Sequence, residues 1–397
     1  MLVHVLAATD PNPPPALWRA LTEVAFFIGL FGTLGVTLVY GAVIRPVLNR
    51  PSVDPGDRTV LTRAANTFMA CIGVFALFAF YLQIAGKAAR VKGKEIPFSH
   101  ALAPSAIWHY VSAPGKKGEW ISSGAEALVQ YSLWAVAAIL LILLFLPRAR
   151  TALLVWSSFI VAVIGVQVLS VPTDFGKYSF DGFLDDNLTH VHIISNATWT
   201  GGIVTLVVLA ARSRQLTSSA GLTWAQLWTR FSKVALTTVG CTLITGSWLA
   251  WRFVGSPREL FTTEFGHVLL IKISLVVTMI AIGGVNEFLM MPRIARARTA
   301  GDDRSVFRLA LKVFPRLVAV EGLLAVGVLV AITFLTGSSR DEGGDPTPVV
   351  NGGVLAIGAV MAVLLAASLI ATAKVSDRLA RASSAAPSPA VKASSVA

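Results

Sequence analysis

Residues 121–146, ISSGAEALVQYSLWAVAAILLILLFL, decide the fold. The stretch contains a single charged side chain, Glu126. As a helix rising 1.5 Å per residue, it is long enough to cross the hydrocarbon core of a bilayer, which is about 30 Å thick. Its apolar residues do not alternate with polar ones, as they do in the strands of a membrane barrel. The stretch therefore predicts a membrane-spanning helix.

Eight further apolar runs of similar length occupy most of the 397-residue chain. Hydrophobic residues make up 55% of the sequence, charged residues 14%, and the mean hydropathy is +0.70, more than a soluble core of this size can bury. We therefore predict an all-α, polytopic transmembrane helical bundle. Its predicted spans are 21–44, 64–86, 121–146, 151–171, 188–211, 231–253, 266–291, 314–336 and 350–373.

The charges of the short connections predict the orientation. Arginine and lysine follow spans 1, 3, 5, 7 and 9, whereas aspartate and glutamate follow spans 4 and 8. By the positive-inside rule the basic connections are cytoplasmic, so the N-terminus is predicted outside and the C-terminus inside. The basic loop 87–120 is kept outside because long loops obey the rule weakly.

The chain is predicted to divide along these spans. The predicted parts are an external arm (1–20), a four-span half with the long loop (21–171), a second four-span half (172–336), a ninth span (337–375) and a disordered cytoplasmic tail (376–397). Residues 1–15 lack a basic segment before an apolar core, so no cleaved signal peptide is predicted. Cys71 and Cys241 both lie inside spans, which excludes a disulfide framework. The net charge of +12 is explained by orientation and by contact with anionic lipids, and no nucleic-acid partner is predicted.

All six histidines fall on the predicted external side. They are His4, His100, His109, His190, His192 and His267. Imidazole is the commonest protein ligand for copper, zinc, iron and haem, so a one-sided set predicts metal or haem binding at that face. The neighbouring Asp185 and Asp186 would attract a cation.

Span 5 carries the most informative pattern. His192 and Trp199 lie seven residues apart and so share a helix face, and Gly201 and Gly202 permit a close helix contact just below. His190 and His192 are two apart and point away from each other on a regular helix. Joint chelation would therefore need His190 in a non-helical entry segment.

Two polar features lie deeper. Lys272 in span 7 could pair with Glu321 in span 8, either as a structural ion pair or as a polar step that carries a cation or proton inward. In span 6, Thr238, Cys241, Thr242 and Thr245 form a stripe at helical spacing. The stripe either makes interhelical hydrogen bonds or lines a path on which the Cys241 sulfur suits Cu(I).

The second half of the chain resembles the CopD family of bacterial copper-resistance membrane proteins. The resemblance is clearest over residues 188–336 and rests on the order and spacing of several short motifs. These are His192-x6-Trp199-x-Gly201-Gly202, Arg230-Phe231-Ser232, Phe265-Gly266-His267 with Lys272, Asn286 with Pro292-Arg293, and Arg316-Leu317-Val318-x-Val320-Glu321. It implies a multi-pass protein of the bacterial plasma membrane that handles copper, beside a CopC-like periplasmic partner, with His192 as the most important position.

The main hypothesis is a copper-handling membrane protein rather than an enzyme. It would bind copper at the external mouth of spans 5 and 7 and pass it across the plasma membrane. The predicted ligands are His192, His267, His190, Asp185 and Asp186, and the predicted path runs past Thr245, Cys241, Lys272 and Glu321. A similar His-x6-Trp-x-Gly pattern occurs in the HemJ-like family, so a haem b redox protein is an alternative. An accessory or copper-delivery subunit of a membrane copper enzyme is another.

Overall fold

The computed structural model describes residues 15–91, 93–146, 151–217, 219–335, 337–346 and 348–385. His4 lies outside these ranges. Within them the chain is helical and contains no strand. The predicted all-α class is confirmed.

Within the described ranges, nine apolar helices form the bundle. They are α1 (Leu17–Leu48), α2 (Pro55–Ala89), α3 (Ser123–Phe145), α4 (Thr151–Gln167), α5 (Phe180–Ala210), α6 (Ala220–Phe253), α7 (Glu264–Val285), α8 (Phe314–Thr333) and α9 (Gly352–Ala385). Eight of them contain a segment that is long and apolar enough to cross a membrane, and α4, with 17 residues, is shorter. Each predicted span coincides with one of these helices. The protein is therefore a multi-pass helical membrane protein.

Three helices begin well before their predicted starts, and the largest difference is that of α6, which begins at Ala220 rather than at 231. Side-chain caps explain the other two. The Asp54 carboxylate accepts hydrogen bonds from the amides of Gly56 and Asp57 and so caps α2. The Ser179 hydroxyl accepts from the amide of Gly182 and caps α5. The sequence-based starts at 64 and 188 were wrong because they excluded charged residues from the spans. The caps stabilise the N-termini of both helices outside the apolar run, so both helices begin before it.

The predicted disordered tail is also partly wrong. Helix α9 continues beyond residue 376 to Ala385, through a run rich in alanine and arginine, which are strong helix formers. Pro387, which cannot continue a helix, follows two residues later. Residues 386–397 lie outside the described ranges.

The long loop between α2 and α3 contains two short helices, Phe98–Ala101 and Pro104–Val111. His100 and His109 lie on them and are exposed. The ring of Phe98 stacks on Trp18 at the start of α1, with 4.5 Å between ring centroids. The loop is therefore held against the end of the bundle where α1 begins.

Helix α1 lies at the centre of the bundle. The apolar window of α1 is 78% buried, whereas that of α9 is not buried at all. Helix α5 crosses α1 at Gly35 and Gly201. A Cβ atom built on Gly35 would lie 1.8 Å from the carbonyl oxygen of Ala197, and one built on Gly201 would lie 2.8 Å from the Cα atom of Gly35. The two backbones touch because neither residue has a side chain.

Contacts between neighbouring helices run in opposite chain order. From α5 to α6, Asp185 meets Trp248, His192 meets Thr245, and Gly202 lies against Phe231. Helices α5 and α6 are thus antiparallel, which places His192 and Thr245 at one depth. Asn286, which directly follows α7, contacts Glu321 of α8.

The apolar surface is arranged as a lipid environment requires. Large apolar side chains in the middle of the peripheral helices are exposed, among them Phe78, Ile139, Val277 and Leu323. Two buried clusters take residues from both predicted halves. The larger includes Val39, Leu61, Trp199, Trp224 and Met279. The two halves are therefore packed against each other in the interior, while the outward faces of the helices suit contact with lipid.

Candidate functional site

Helix α5 presents two separate polar faces. Asp185 and His192, seven residues apart, contact α6. Asp186 and His190 lie about 120° and 160° around the helix from His192, at 100° per residue. The helix is regular from Phe180 onward, so no irregular entry segment brings the two imidazoles together. Joint chelation of one ion by His190 and His192 is therefore contradicted.

His192 is half-buried at the interface between α5 and α6, and a chain of hydrogen bonds fixes its imidazole. The hydroxyl of Thr245 donates to the carbonyl oxygen of Cys241 at 2.6 Å. The same hydroxyl oxygen lies 2.9 Å from the Nδ1 atom of His192. A hydroxyl has one proton, so while it donates to Cys241 its oxygen accepts from Nδ1–H, and in that tautomer the lone pair of the neutral imidazole is on Nε2. This is how a metal-binding histidine is usually oriented by its surroundings.

Two further groups of α6 lie beside this imidazole. The backbone of Thr242 interacts with it, and the Thr242 hydroxyl oxygen is buried without a hydrogen-bond partner. A Cβ atom built on Gly246 would lie 3.3 Å from the Cε1 atom of His192, so glycine leaves room for the ring against the helix. A buried hydroxyl without a partner, on the helix that contacts His192, is available to a ligand.

Lys272 of α7 is the charged group beside His192. Its ammonium is close enough to interact electrostatically with the imidazole. Among the described residues it has no carboxylate within ion-pair distance. The predicted Lys272–Glu321 pair is therefore wrong. The two residues lie at different depths, and helix tilt does not close the gap.

Glu321 instead pairs with Asn286. The Glu321 carboxyl is 4% exposed, and its Oε1 atom accepts a hydrogen bond from the Nδ2–H of Asn286 at 2.8 Å. Asn286 begins a π-helical turn, Asn286–Met290, at the cytoplasmic end of α7 in the predicted orientation. This pair is remote from His192. Asn286 and Lys272 are 14 positions apart, about 21 Å along a helix.

The opposite face of α5 carries a second polar group. His190 is 4% exposed, and its Nδ1 atom is buried without a partner. Asp186, one turn before it, interacts electrostatically with Glu126 of α3. Lys87 also interacts with Glu126 and lies 5.4 Å from the ring centroid of Tyr131. These residues line the outer end of the first half rather than the His192 site.

The other predicted ligands have different partners. The carboxylate of Asp185 accepts from Trp248 Nε1 at 2.8 Å and forms an ion pair with Arg252 at 2.5 Å. His267 is exposed, and its Nε2 atom lies 2.9 Å from the carbonyl oxygen of Phe261. Over the described ranges, no group of three or more His, Cys, Asp or Glu side chains could hold a metal ion. The predicted five-residue site is therefore not assembled.

The remaining predicted residues have mainly packing contacts. Trp199 is buried, and Gly202 lies against Phe231 and Val39. The hydroxyl of Thr238 donates to the carbonyl oxygen of Ala235 in its own helix. Cys241 is half-buried with a free thiol, and its carbonyl holds the hydroxyl of Thr245.

Sequence reasoning missed the roles of two residues. Gly246 lies against the imidazole of His192, and the signal for it was its position one residue after Thr245. Asn286 is the partner of Glu321. Its position near the inner end of α7 could have indicated this, because Glu321 lies near the inner end of α8.

Two comparisons with known proteins found similarities, both to copper proteins. Residues 225–335 match the model of the family described as copper resistance protein D, CopD. The resemblance read from the sequence is thus confirmed over that stretch. His192 lies outside the matched residues.

The chain is also 25% identical over 261 residues to a protein of Bacillus subtilis (strain 168) named copper transport protein CutJ. The alignment covers 64% of this chain and 44% of that relative, so this chain spans less than half of its length. No solved structure matches the chain.

Proposed function

We propose that this protein binds copper in the outer half of its helix bundle, at His192, and passes it across the plasma membrane. The observation that carries the proposal is the hydrogen-bond chain from His192 through Thr245 to the carbonyl of Cys241, which favours the tautomer that has its lone pair on Nε2. The family match and the name of the relative indicate which metal it is. Imidazole nitrogen is a good copper ligand.

In this proposal the bound copper is a transported ion and not a resident metal. A resident metal usually has three or four protein ligands, and the described residues offer no such cluster. A single oriented imidazole binds an ion more weakly than such a cluster and therefore releases it more easily. The free thiol of Cys241, one turn further inward on α6, is a candidate for the next contact along the path. Delivery by a CopC-like protein, or onward to a membrane copper enzyme, stays a prediction.

The experiment is a measurement of metal content and visible spectrum on the purified full-length protein after exposure to copper. We expect copper at about one ion per chain with no Soret band. A Soret band with stoichiometric iron would overturn the proposal in favour of a haem b protein. A protein that binds neither copper nor haem would overturn it in favour of an accessory subunit.

Removal of the positive charge beside the site should tighten copper binding. A unit charge near a partly screened site repels a cation by about 1 to 2 kcal/mol, which is about tenfold in affinity. Lys272→Gln should therefore bind copper about tenfold more tightly than the wild type in a competition titration with a chelator.

The control is Lys272→Arg, which keeps the charge and should leave the affinity close to that of the wild type. Equal copper affinities for the glutamine and arginine variants would show that the ammonium of Lys272 does not face the bound ion.

A further inference from the structure

Glu321 is a carboxyl group buried inside the membrane-spanning part of the bundle. It lies seven residues into α8, and 4% of its surface is exposed. An ionised carboxylate in such a place is costly unless a cation or several hydrogen-bond donors stabilise it. The groups around Glu321 therefore determine whether it can carry its charge.

The surroundings of Glu321 supply one donor and no cation. Asn286 Nδ2 donates to Oε1 at 2.8 Å, and among the described residues no lysine, arginine or histidine lies within ion-pair distance. The charged residue next to Asn286 in the chain is Glu287, which accepts a hydrogen bond from Ser232 of α6. Helix α5 approaches α8 with an apolar side chain, Ile203, beside Gly322. Of these neighbours, only the side-chain amide of Asn286 favours the ionised form of Glu321.

Asn286, the partner of Glu321, has a hydrogen-bond acceptor to which no group donates. The Oδ1 atom of Asn286 is buried and has no hydrogen-bond donor, although Asn286 is only 5% exposed. The amide presents Nδ2–H and Oδ1 side by side, and a neutral carboxylic acid presents an acceptor and an O–H donor in the same arrangement. A proton on Oε2 would supply the missing donor.

We propose that Glu321 and Asn286 form a proton-binding site in the inner half of the bundle. Glu321 takes up one proton on Oε2 and donates it to Asn286 Oδ1, while Asn286 Nδ2 donates to Glu321 Oε1. Both buried residues are then neutral and fully hydrogen-bonded. A cation that reaches this depth and binds the carboxylate displaces that one proton, so its binding is coupled to proton release.

The helix geometry at this pair supports a functional site. The π-helical turn begins at Asn286, and single π-turns inside helices are frequent at functional sites. The proposal needs no copper and no role for His192, so either site can fail while the other stands.

Infrared difference spectroscopy tests the proposal on the full-length protein in lipid nanodiscs without added metal. The wild type at neutral pH should show the C=O stretch of a protonated carboxyl in a dry environment, and the band should disappear as the pH is raised. Glu321→Gln should lack the band. The control Glu264→Gln changes an exposed carboxyl at the start of α7 and should keep it.

A second variant distinguishes proton binding from a purely structural role and covers the case in which Glu321→Gln does not fold. Asn286→Leu removes the donor to Oε1, so the C=O band should move to higher frequency while it remains present. Absence of the band from the wild type would overturn the proposal. So would a band that is unchanged in both Glu321→Gln and Asn286→Leu.

Discussion

His192→Ala should lower copper affinity at least tenfold, enough to abolish stoichiometric binding in a competition titration with a chelator. The substitution removes the imidazole that is oriented by the hydrogen bond between Nδ1 and Thr245. Thr245→Val keeps the shape of the side chain but removes the acceptor that fixes the tautomer. Loss of such an orienting partner typically costs 10- to 100-fold in metal affinity, so this variant should also bind copper weakly.

His190→Ala is the matched control for His192→Ala. It removes an imidazole from the same helix, two positions away, on the face turned from α6. It should leave copper affinity close to that of the wild type. Equal losses in His190→Ala and His192→Ala, or no loss in either, would contradict the assignment of the site to the interface of α5 and α6.

The spans could be predicted because the hydrocarbon core imposes a length and an apolar composition on every crossing helix. Their ends could not, because hydrogen bonds outside the hydrocarbon set them. Ser179 starts α5 two turns before the apolar run begins. That extension makes α5 regular at His190 and His192 and so separates the two imidazoles.

Side-chain partners were harder to predict than positions on a helix. The 100° rotation per residue correctly indicated that His190 and His192 diverge, because rotation is a property of one helix. The Lys272–Glu321 pair failed because it depends on the relative depth of two helices, which the sequence does not record. Asn286 lies at the depth of Glu321, whereas Lys272 lies at that of His192.

The histidines predicted on the external side show the same difference between a position that the sequence predicts and a side-chain partner that it does not. His100 and His109 are exposed on the loop, His267 lies at the exposed start of α7, and only His190 and His192 are on α5. A shared side of the membrane follows from topology, and topology is readable from charges in loops. A shared metal site requires the side chains to lie within a few ångströms of one another. Being on the same side of the membrane does not ensure this.

Gly35→Ala should have the largest effect on stability of any single methyl group added to the bundle. The new Cβ atom would lie 1.8 Å from the carbonyl oxygen of Ala197 and 2.9 Å from the Cα atom of Gly201, both of them backbone atoms that cannot rotate away. Helices α1 and α5 must then move apart, and the central packing of α1 is lost along with the contact. Overpacking of a core costs about 1 to 3 kcal/mol when side chains can adjust, and here they cannot, so the cost should exceed that range. We expect a much lower yield of monodisperse protein and a markedly lower melting temperature.

The matched control is Gly358→Ala on the outward face of α9, where a Cβ atom meets nothing within 4 Å. Alanine is favoured over glycine in a helix by about 1 kcal/mol, so this variant should be at least as stable as the wild type. The two variants add the same atom to the same residue type and differ only in what that atom meets. If Gly35→Ala melts at the same temperature as Gly358→Ala, the backbone contact between α1 and α5 does not exist as described. The placement of His192 against α6, which depends on how α5 is held by α1, would then have to be revised with it.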